Sequence, residues 1–418
     1  MSDTPLLSPA RPTLSDILQA AEKIKTSVLR TPTLPADRLS QELGAEIFVK
    51  YDNMQITNAF KERGALNKLL SLSKTQKSKG VIAMSAGNHA QAVALHATRL
   101  GIPSTIVMPE FTPFVKVAAT KAFGATVILE GESVAEAGEA AHALAIEKDL
   151  TFVHPYDDFH VIAGQGTVAL EMLADEPDLD VLIIPIGGGG LISGVSIAAK
   201  ALKPQIEIIG VETELYPTMY NELKKTNLVC GGQSLAEGIA VKKAGKLPAL
   251  IASDLVSDII LVSERQIEQA INAYATYLKT MAEGAGAAGL AAMIAEPERF
   301  KGKKVGLVLC GGNIDPRLLS SIIVRQLGRK QQIVGLRITI PDRPGVLGEI
   351  STVIGDLGGN VLEVDHHRTF LNVPVRGASI DITIETRDAA HAQEIIQGIE
   401  AKGHQVEHLN APENTLKR

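Results

Sequence analysis

Lys61 stands in the run Thr57-Asn58-Ala59-Phe60-Lys61-Glu62-Arg63-Gly64-Ala65, behind an aromatic ring and among small and polar side chains. Its amine has the chemistry to capture a carbonyl covalently. Read alone, it is equally a surface lysine at a helix start, the usual place for lysines. Three other segments change that balance. In Gly187-Gly188-Gly189-Gly190-Leu191, an apolar strand, Val181–Ile186, runs into a helix-prone stretch, Leu191–Leu202. Without Cβ atoms such a backbone turns sharply and aims several N–H groups at one anion, helped by the helix N-terminus. The glycines could merely form a tight turn, but four in succession at a helix start favour a phosphate. No Gly-Lys-Ser/Thr follows, so this is not a P-loop, and Ile192 and Ser193 fall where a dinucleotide fingerprint needs its third glycine. Ser85-Ala86-Gly87-Asn88-His89 forms another corner, between the strand Val81–Met84 and a helix from Ala90, and offers N–H donors to a carboxylate. Cys310, before Gly311-Gly312-Asn313, ends an apolar strand, where a lone cysteine is ordinarily a small buried hydrophobe.

Taken in chain order, from Lys61 through Ser85 and Gly187 to Cys310, the four segments resemble the signature of the fold-type II pyridoxal phosphate enzymes, and among them the threonine dehydratases, from about Leu14 to about Leu327. The resemblance implies a two-lobed, tryptophan synthase β-like α/β catalytic domain over residues 1–328 and pyridoxal 5'-phosphate as cofactor. It makes Lys61 the amine that holds the cofactor aldehyde, with Phe60 beside it; Ala59 stands where the family usually has serine. Gly187, Gly188, Gly189, Gly190 and Leu191 become the phosphate cradle. Cys310 falls where the family sets Ser or Cys against the pyridine nitrogen. A neutral thiol does not force protonation there, which suits β-elimination better than chemistry through a long-lived carbanion. Ser85, Ala86, Gly87, Asn88 and His89 would receive the substrate carboxylate, Asn88 also lying near the ring hydroxyl, and His89 is expected to contribute backbone contacts only. Serine racemases of the family carry a serine acid where this chain has Ala86, so racemisation becomes a minor reading. Glu283 matches a position near the ring, with a helix-start carboxylate as the alternative. Glu212 matches one acid of a divalent-cation site, but its companion position holds Thr218, so no divalent metal is expected. The loop His154-Pro155-Tyr156-Asp157-Asp158 is expected to be structural.

The elements that must position these residues alternate. Thr13 and Asp16 spell a capping box before Ile17, Ala20, Ala21, Ile24 and Val28. Short apolar runs, Val81–Met84, Ser104–Met108, Thr126–Leu129, Val181–Ile186, Ile206–Val211 and Lys304–Leu309, then alternate with alanine-rich stretches such as Ala90–Leu100 and Ser133–Glu147. That pattern predicts parallel sheets covered on both faces, with a smaller lobe over about 51–156 inserted in a larger one.

Gly328–Gln332 reads as a linker, and the pattern after it changes. A strand, Ile333–Ile340, precedes the turn Pro341-Asp342-Arg343-Pro344-Gly345. One helical face follows (Val346, Leu347, Ile350, Val353, Ile354, Leu357), stopped by Gly358-Gly359. Ile380, Ile382 and Ile384 alternate as a half-buried strand should, and a helix over Asp388–Lys402 and a strand near Gln405–Leu409 complete a ferredoxin-like βαββαβ order. With its turn motif, this stretch over 333–410 resembles an ACT domain. That implies an amino-acid effector, isoleucine or valine, and edge-to-edge pairing into a homodimer or homotetramer. His366-His367-Arg368 could hold a metal, but adjacent strand residues face opposite ways, so a solvated or interface role is expected.

Bulk properties exclude whole classes. The chain has 418 residues, enough for two or three domains. With 41 basic against 47 acidic residues it has no electrostatic purchase on nucleic acid or anionic membrane. Tryptophan is absent, so base-stacking platforms are not expected. Cys230 and Cys310 rule out a disulfide framework. Met1–Pro12 has no signal pattern and no apolar run reaches membrane-spanning length, so a cytoplasmic protein is expected. The expected activity is dehydration and deamination of L-threonine, and of L-serine by the same route. The alternatives are a serine or threo-3-hydroxyaspartate dehydratase, or a non-catalytic amino-acid sensor on the same fold.

Overall fold

The computed structural model describes residues 10–367 and 377–409. Residues 1–9, Arg368 and Asn410 lie outside the described residues. The chain divides into two compact units, Met1–Ile314 and Asp315–Arg418.

In the first unit a six-stranded sheet has the spatial order Thr33–Pro35, Glu46–Lys50, Lys304–Val308, Val181–Pro185, Glu207–Thr213 and Asp258–Val262. All neighbours are parallel except the Thr33–Pro35 edge. Val181–Pro185 is wholly buried, as a strand covered on both faces by helices must be. A second, all-parallel sheet, ordered Thr126–Leu129, Ser104–Met108, Val81–Met84 and Thr151–Phe152, is inserted in sequence between strands of the first. Its core is rich in alanine and valine, with Ala90, Ala92, Val93 and Ala97 packed on Val81, Ala83 and Ile106. The capping box at Thr13 and Asp16 opens the first helix, Leu14–Ile24.

Three helices around the Lys61 segment pack with their main chains in contact. A Cβ on Gly164, in the helix Phe159–Asp175, would lie 2.6 Å from the Arg63 carbonyl oxygen and from Gly64 Cα in the helix Lys61–Ser71. On the opposite side of Phe159–Asp175, a Cβ on Gly194 of the helix Gly190–Leu202 would overlap the Ile162 carbonyl oxygen. Only glycine permits such an approach.

The second unit holds a helix, Pro316–Arg329, and a four-stranded antiparallel sheet ordered Asn360–His367, Gly377–Glu385, Ile333–Pro341 and Gln405–His408. Helices Val346–Asp356 and Ala389–Glu400 share its core with Ile338, Ile350, Ile382 and Ile395. This is the ferredoxin-like order. The polar run Gly328–Gln332, expected as a linker, is instead the end of the Pro316–Arg329 helix and a turn bound to the sheet unit, where Gln332 O accepts from Thr386 N at 2.9 Å. Among the described residues, no helix is long and apolar enough to cross a membrane.

Candidate functional site

Lys61 is the first residue of its helix and follows a stretch laced to the Cys310–Asn313 loop. Ala59 bridges to Gly311, Phe60 N donates to Cys310 O at 3.0 Å, and Gly312 N donates to Asn58 O at 2.9 Å. Lys61 Nζ donates to the Pro155 carbonyl oxygen at 2.8 Å and lies 5.0 Å from the centre of the Phe60 ring. Burial lowers its amine to about 8, opposed by the negative charge that Cys310 and Glu283 can carry.

The two residues after Lys61 are fully buried and hold polar or charged partners. Glu62 accepts from Thr57 N at 2.5 Å and faces His96 Nε2 at 3.2 Å, on the inserted lobe's helix Asn88–Arg99. Arg63 clasps Asp52 through two nitrogens at 2.7 and 2.8 Å and reaches Glu171 at 2.7 and 2.9 Å. Lys50 meets the same Glu171 at 2.6 Å. These bonds fix the helix start through buried groups, with Glu171 alone among them partly exposed.

The glycine run follows the buried strand and opens a helix of 13 residues. Gly189, its N-cap, takes a left-handed φ of +94°. Side chains are excluded along the run: a Cβ on Gly188 would overlap the Tyr156 ring, and one on Gly190 would lie 2.9 Å from Tyr156 Cα. The first-turn N–H groups of this helix have no intrahelical acceptor. The His154–Asp158 loop, structural by its sequence, sets its Pro155 carbonyl on Lys61 and its Tyr156 ring on Gly188. A carbonyl contact leaves no trace in residue type, although the loop's place after a parallel strand is a usable signal. Asp157 accepts from Lys246 N and Leu247 N at 2.9 and 3.1 Å and so ties down the neighbouring helix start.

Across from the amine, Cys310 is buried, and burial together with Glu283 pushes its thiol well above the ordinary range. It is therefore a neutral S–H. Glu283 is the N-cap of the helix Gly284–Ala295, donates its own N–H to Gly311 O at 3.1 Å, and has its carboxyl pushed up to about 7 by burial. Asn88 Nδ2 donates to Glu283 Oε1 at 2.7 Å, and Asn313 Nδ2 donates to Asn88 Oδ1 at 2.8 Å. Segments far apart in sequence thus meet in one polar cluster.

The Ser85–His89 corner lies on the inserted lobe. Ser85 N is bonded to Val107 O at 3.2 Å, Ser85 Oγ accepts from Gly87 N at 3.2 Å, Ala86 is half-buried, and the helix begins at Asn88. A carboxylate received here would compete with Ser85 for the Gly87 N–H. The His89 ring turns inward and meets the Val153 carbonyl at 2.9 Å through Nε2, which must carry the proton. Burial pushes it down to about 3, so it stays neutral.

Glu212 does not stand open to an ion. It accepts from Met219 N and Tyr220 N, each at 2.8 Å, and from Thr218 Oγ1 at 3.1 Å at a helix start. Among the described residues, no group of three or more His, Cys, Asp or Glu side chains is placed to hold a metal. His366 and His367 are exposed on the strand Asn360–His367, and His367 Nε2 lies 3.4 Å from Asp381. Cys230 sits partly exposed in a loop.

A glycine cradle at a helix start, a buried amine of lowered basicity and a neutral thiol close enough to feel its charge fit a ligand with a phosphate, an aldehyde and an aromatic nitrogen. The comparisons agree. The model of the pyridoxal-phosphate dependent enzymes matches residues 24–311, and that of the ACT domain matches residues 334–402. An L-threonine ammonia-lyase of Thermotoga maritima is 44% identical over 94% of this chain and 98% of its own length. Among solved structures, maize serine racemase covers 76% of this chain and 98% of its own, with 34% identity and a TM-score of 0.71. The processed form of threonine deaminase isoform 2 from Solanum lycopersicum covers 75% and 89%, with 33% identity and a TM-score of 0.70. The match of the family's model over residues 24–311, well over half the chain, shows that this protein belongs to the pyridoxal-phosphate-dependent enzymes and carries an ACT domain in its second unit.

Proposed function

We propose that this chain is an L-threonine ammonia-lyase, converting L-threonine to 2-oxobutanoate and ammonia, and L-serine to pyruvate by the same route. The observation that carries this reading is the pairing of one buried amine, Lys61 at about 8, with an alanine at position 86. An amine on one side and no acid at position 86 supports elimination over racemisation. His89 cannot stand in, being neutral and turned to Val153.

Phe60, Lys61, Asn88, the Gly187–Leu191 segment, Glu283 and Cys310 would hold the cofactor. When bound, pyridoxal phosphate supplies an electron-withdrawing ring that stabilises negative charge on the substrate's Cα. The residues do the rest. First-turn N–H groups bind the phosphate without a charged side chain. Neutral Lys61 Nζ takes the proton from Cα, helped by a basicity set near working pH. Cys310, kept neutral by burial, would stand beside the ring nitrogen without ceding its proton to it, which favours relief of charge at Cα by departure of the β-hydroxyl. The corner Ser85, Ala86, Gly87, Asn88 and His89 orients the substrate carboxylate. The enamine released then takes up water and loses ammonia.

Residues 1–328 would form the catalytic part and 333–410 the regulatory part, controlled by an amino acid, isoleucine or valine. The exposed edge strand Asn360–His367 suits pairing between copies into a homodimer or homotetramer. A cytoplasmic place follows the sequence reading. The test is 2-oxobutanoate formation from L-threonine by the cofactor-loaded protein, with L-serine and threo-3-hydroxyaspartate in parallel. Turnover of threonine supports the reading; turnover of only another substrate replaces threonine; silence on all three favours a sensor.

A further inference from the structure

We propose that Asn313 is a positioning residue that sets the direction of the Asn88 side-chain amide, keeping its Nδ2 towards Glu283 and the ring site. The inference rests on the cofactor reading above and deepens it.

An asparagine amide can face two ways, and only its partners decide which. Asn313 has one partner whose polarity is beyond choice. The Thr57 backbone carbonyl can only accept, and Asn313 Nδ2 donates to it at 2.8 Å. Its second Nδ2 hydrogen then goes to Asn88 Oδ1 at 2.8 Å, and its Oδ1 accepts from Asn58 Nδ2 at 3.2 Å. With Oδ1 engaged, Asn88 must present Nδ2 on the other side, where one hydrogen meets Glu283 Oε1 at 2.7 Å. The second hydrogen of that nitrogen is left for an acceptor in the site, such as a ring hydroxyl. Reversing Asn88 would set its donor against the Asn313 donor, a clash that holds in either charge state of Glu283. The direction thus passes from the main chain just before Lys61 to an amide on the inserted lobe. Asn313 acts through Asn88 and is not proposed to touch the cofactor.

The test is a double-mutant cycle read by binding and absorption. Cofactor-free protein is titrated with pyridoxal phosphate, and the pH midpoint of the bound cofactor's absorption band is recorded. Wild type, Asn313→Ala, Asn88→Ala and the double variant are compared, with Asn313→Ser in place of Asn313→Ala should the latter fail to fold. Asn313→Ala is expected to weaken cofactor binding about 10-fold and shift the band's midpoint, a coupling usual for contacting residues. With Asn88 already alanine, the same change should cost less than about 2-fold. An equal loss in both backgrounds would overturn the proposal, because Asn313 would then merely fasten the Cys310 loop to Thr57. An unchanged midpoint and affinity in the single variant would overturn it too. A wild type with no Lys61-dependent band would instead bring down the cofactor reading, and this inference with it.

Discussion

The Pro155 carbonyl accepts a hydrogen bond from Lys61 Nζ at 2.8 Å, across 94 positions of sequence. The next residue, Tyr156, packs its ring on Gly188. One short loop therefore touches both the amine and the glycine run, and a change on either side is felt by the other.

The amine should report its burial through pH. A free lysine loses its proton near 10.4, whereas burial lowers Lys61 to about 8. Only the neutral form attacks an aldehyde, so cofactor uptake by the cofactor-free protein should accelerate with rising pH and reach half its plateau near 8. Rapid-mixing absorbance measures this, and a midpoint near 10 would contradict it. Lys61→Ala should lower turnover by at least about 10⁴-fold with the circular dichroism spectrum unchanged.

Gly188→Ala places a methyl against the Tyr156 ring. Overpacking of this kind costs about 1–3 kcal/mol, and here it falls on the cradle itself. Cofactor affinity by titration should drop about 10-fold or more. An unchanged titration would remove the loop from the phosphate site.

Glu283 should leave a signature in stability. Its folded carboxyl titrates near 7, while an unfolded one titrates near about 4.3. Between those values the folded state keeps a proton that the unfolded state has lost, so its contribution lowers stability as pH rises. Glu283→Gln removes that slope. Urea unfolding of cofactor-free protein at pH 5, 6 and 7 should show the variant gaining on wild type at each step; parallel curves would refute the assignment.

Arg63→Met strands the buried Asp52 carboxylate, now held below its ordinary range by the guanidinium and Lys50 despite burial. Breaking one side of such a pair costs about 3–5 kcal/mol. The urea midpoint should fall accordingly, and a loss under about 1 kcal/mol would mean that the cluster is solvated.

In the second unit, Gly345 caps the helix Val346–Asp356 with φ of +91°. Gly345→Val strains that turn. The variant should lose response to isoleucine or valine while threonine turnover without effector changes less than about twofold. Retained response would dissociate the turn from regulation.

Much of this molecule is legible in residue types. Strand-to-helix corners are where glycines and small polar residues betray their task, and the Gly187 and Ser85 segments sit at such corners, while Lys61 opens a helix after a turn. The capping box at Thr13 and the helix stop at Gly358 are legible for the same reason, since local geometry dictates local residues. What escapes depends on distant partners. Asp258–Val262 is a strand because a parallel neighbour pairs with it, and Thr33–Pro35 is an edge strand that tolerates proline. Gly328–Gln332 reads as a linker because its polarity is that of an exposed helix end. His89 is expected from sequence to offer only its backbone; its buried ring bonded to Val153 depends on a carbonyl 64 positions away.

The main-chain contacts at Gly164 and Gly194 have a consequence for redesign. Where helices touch through backbone alone, no rotamer can give way, so the seam passes on displacement as a solid would. The Lys61 main chain is thereby held in register with the glycine run that opens the third helix, independently of side-chain fluctuations. Attempts to widen the substrate range should leave this seam alone and work on the inserted lobe's Ser85–His89 corner, where Gly87 has open space around its Cα.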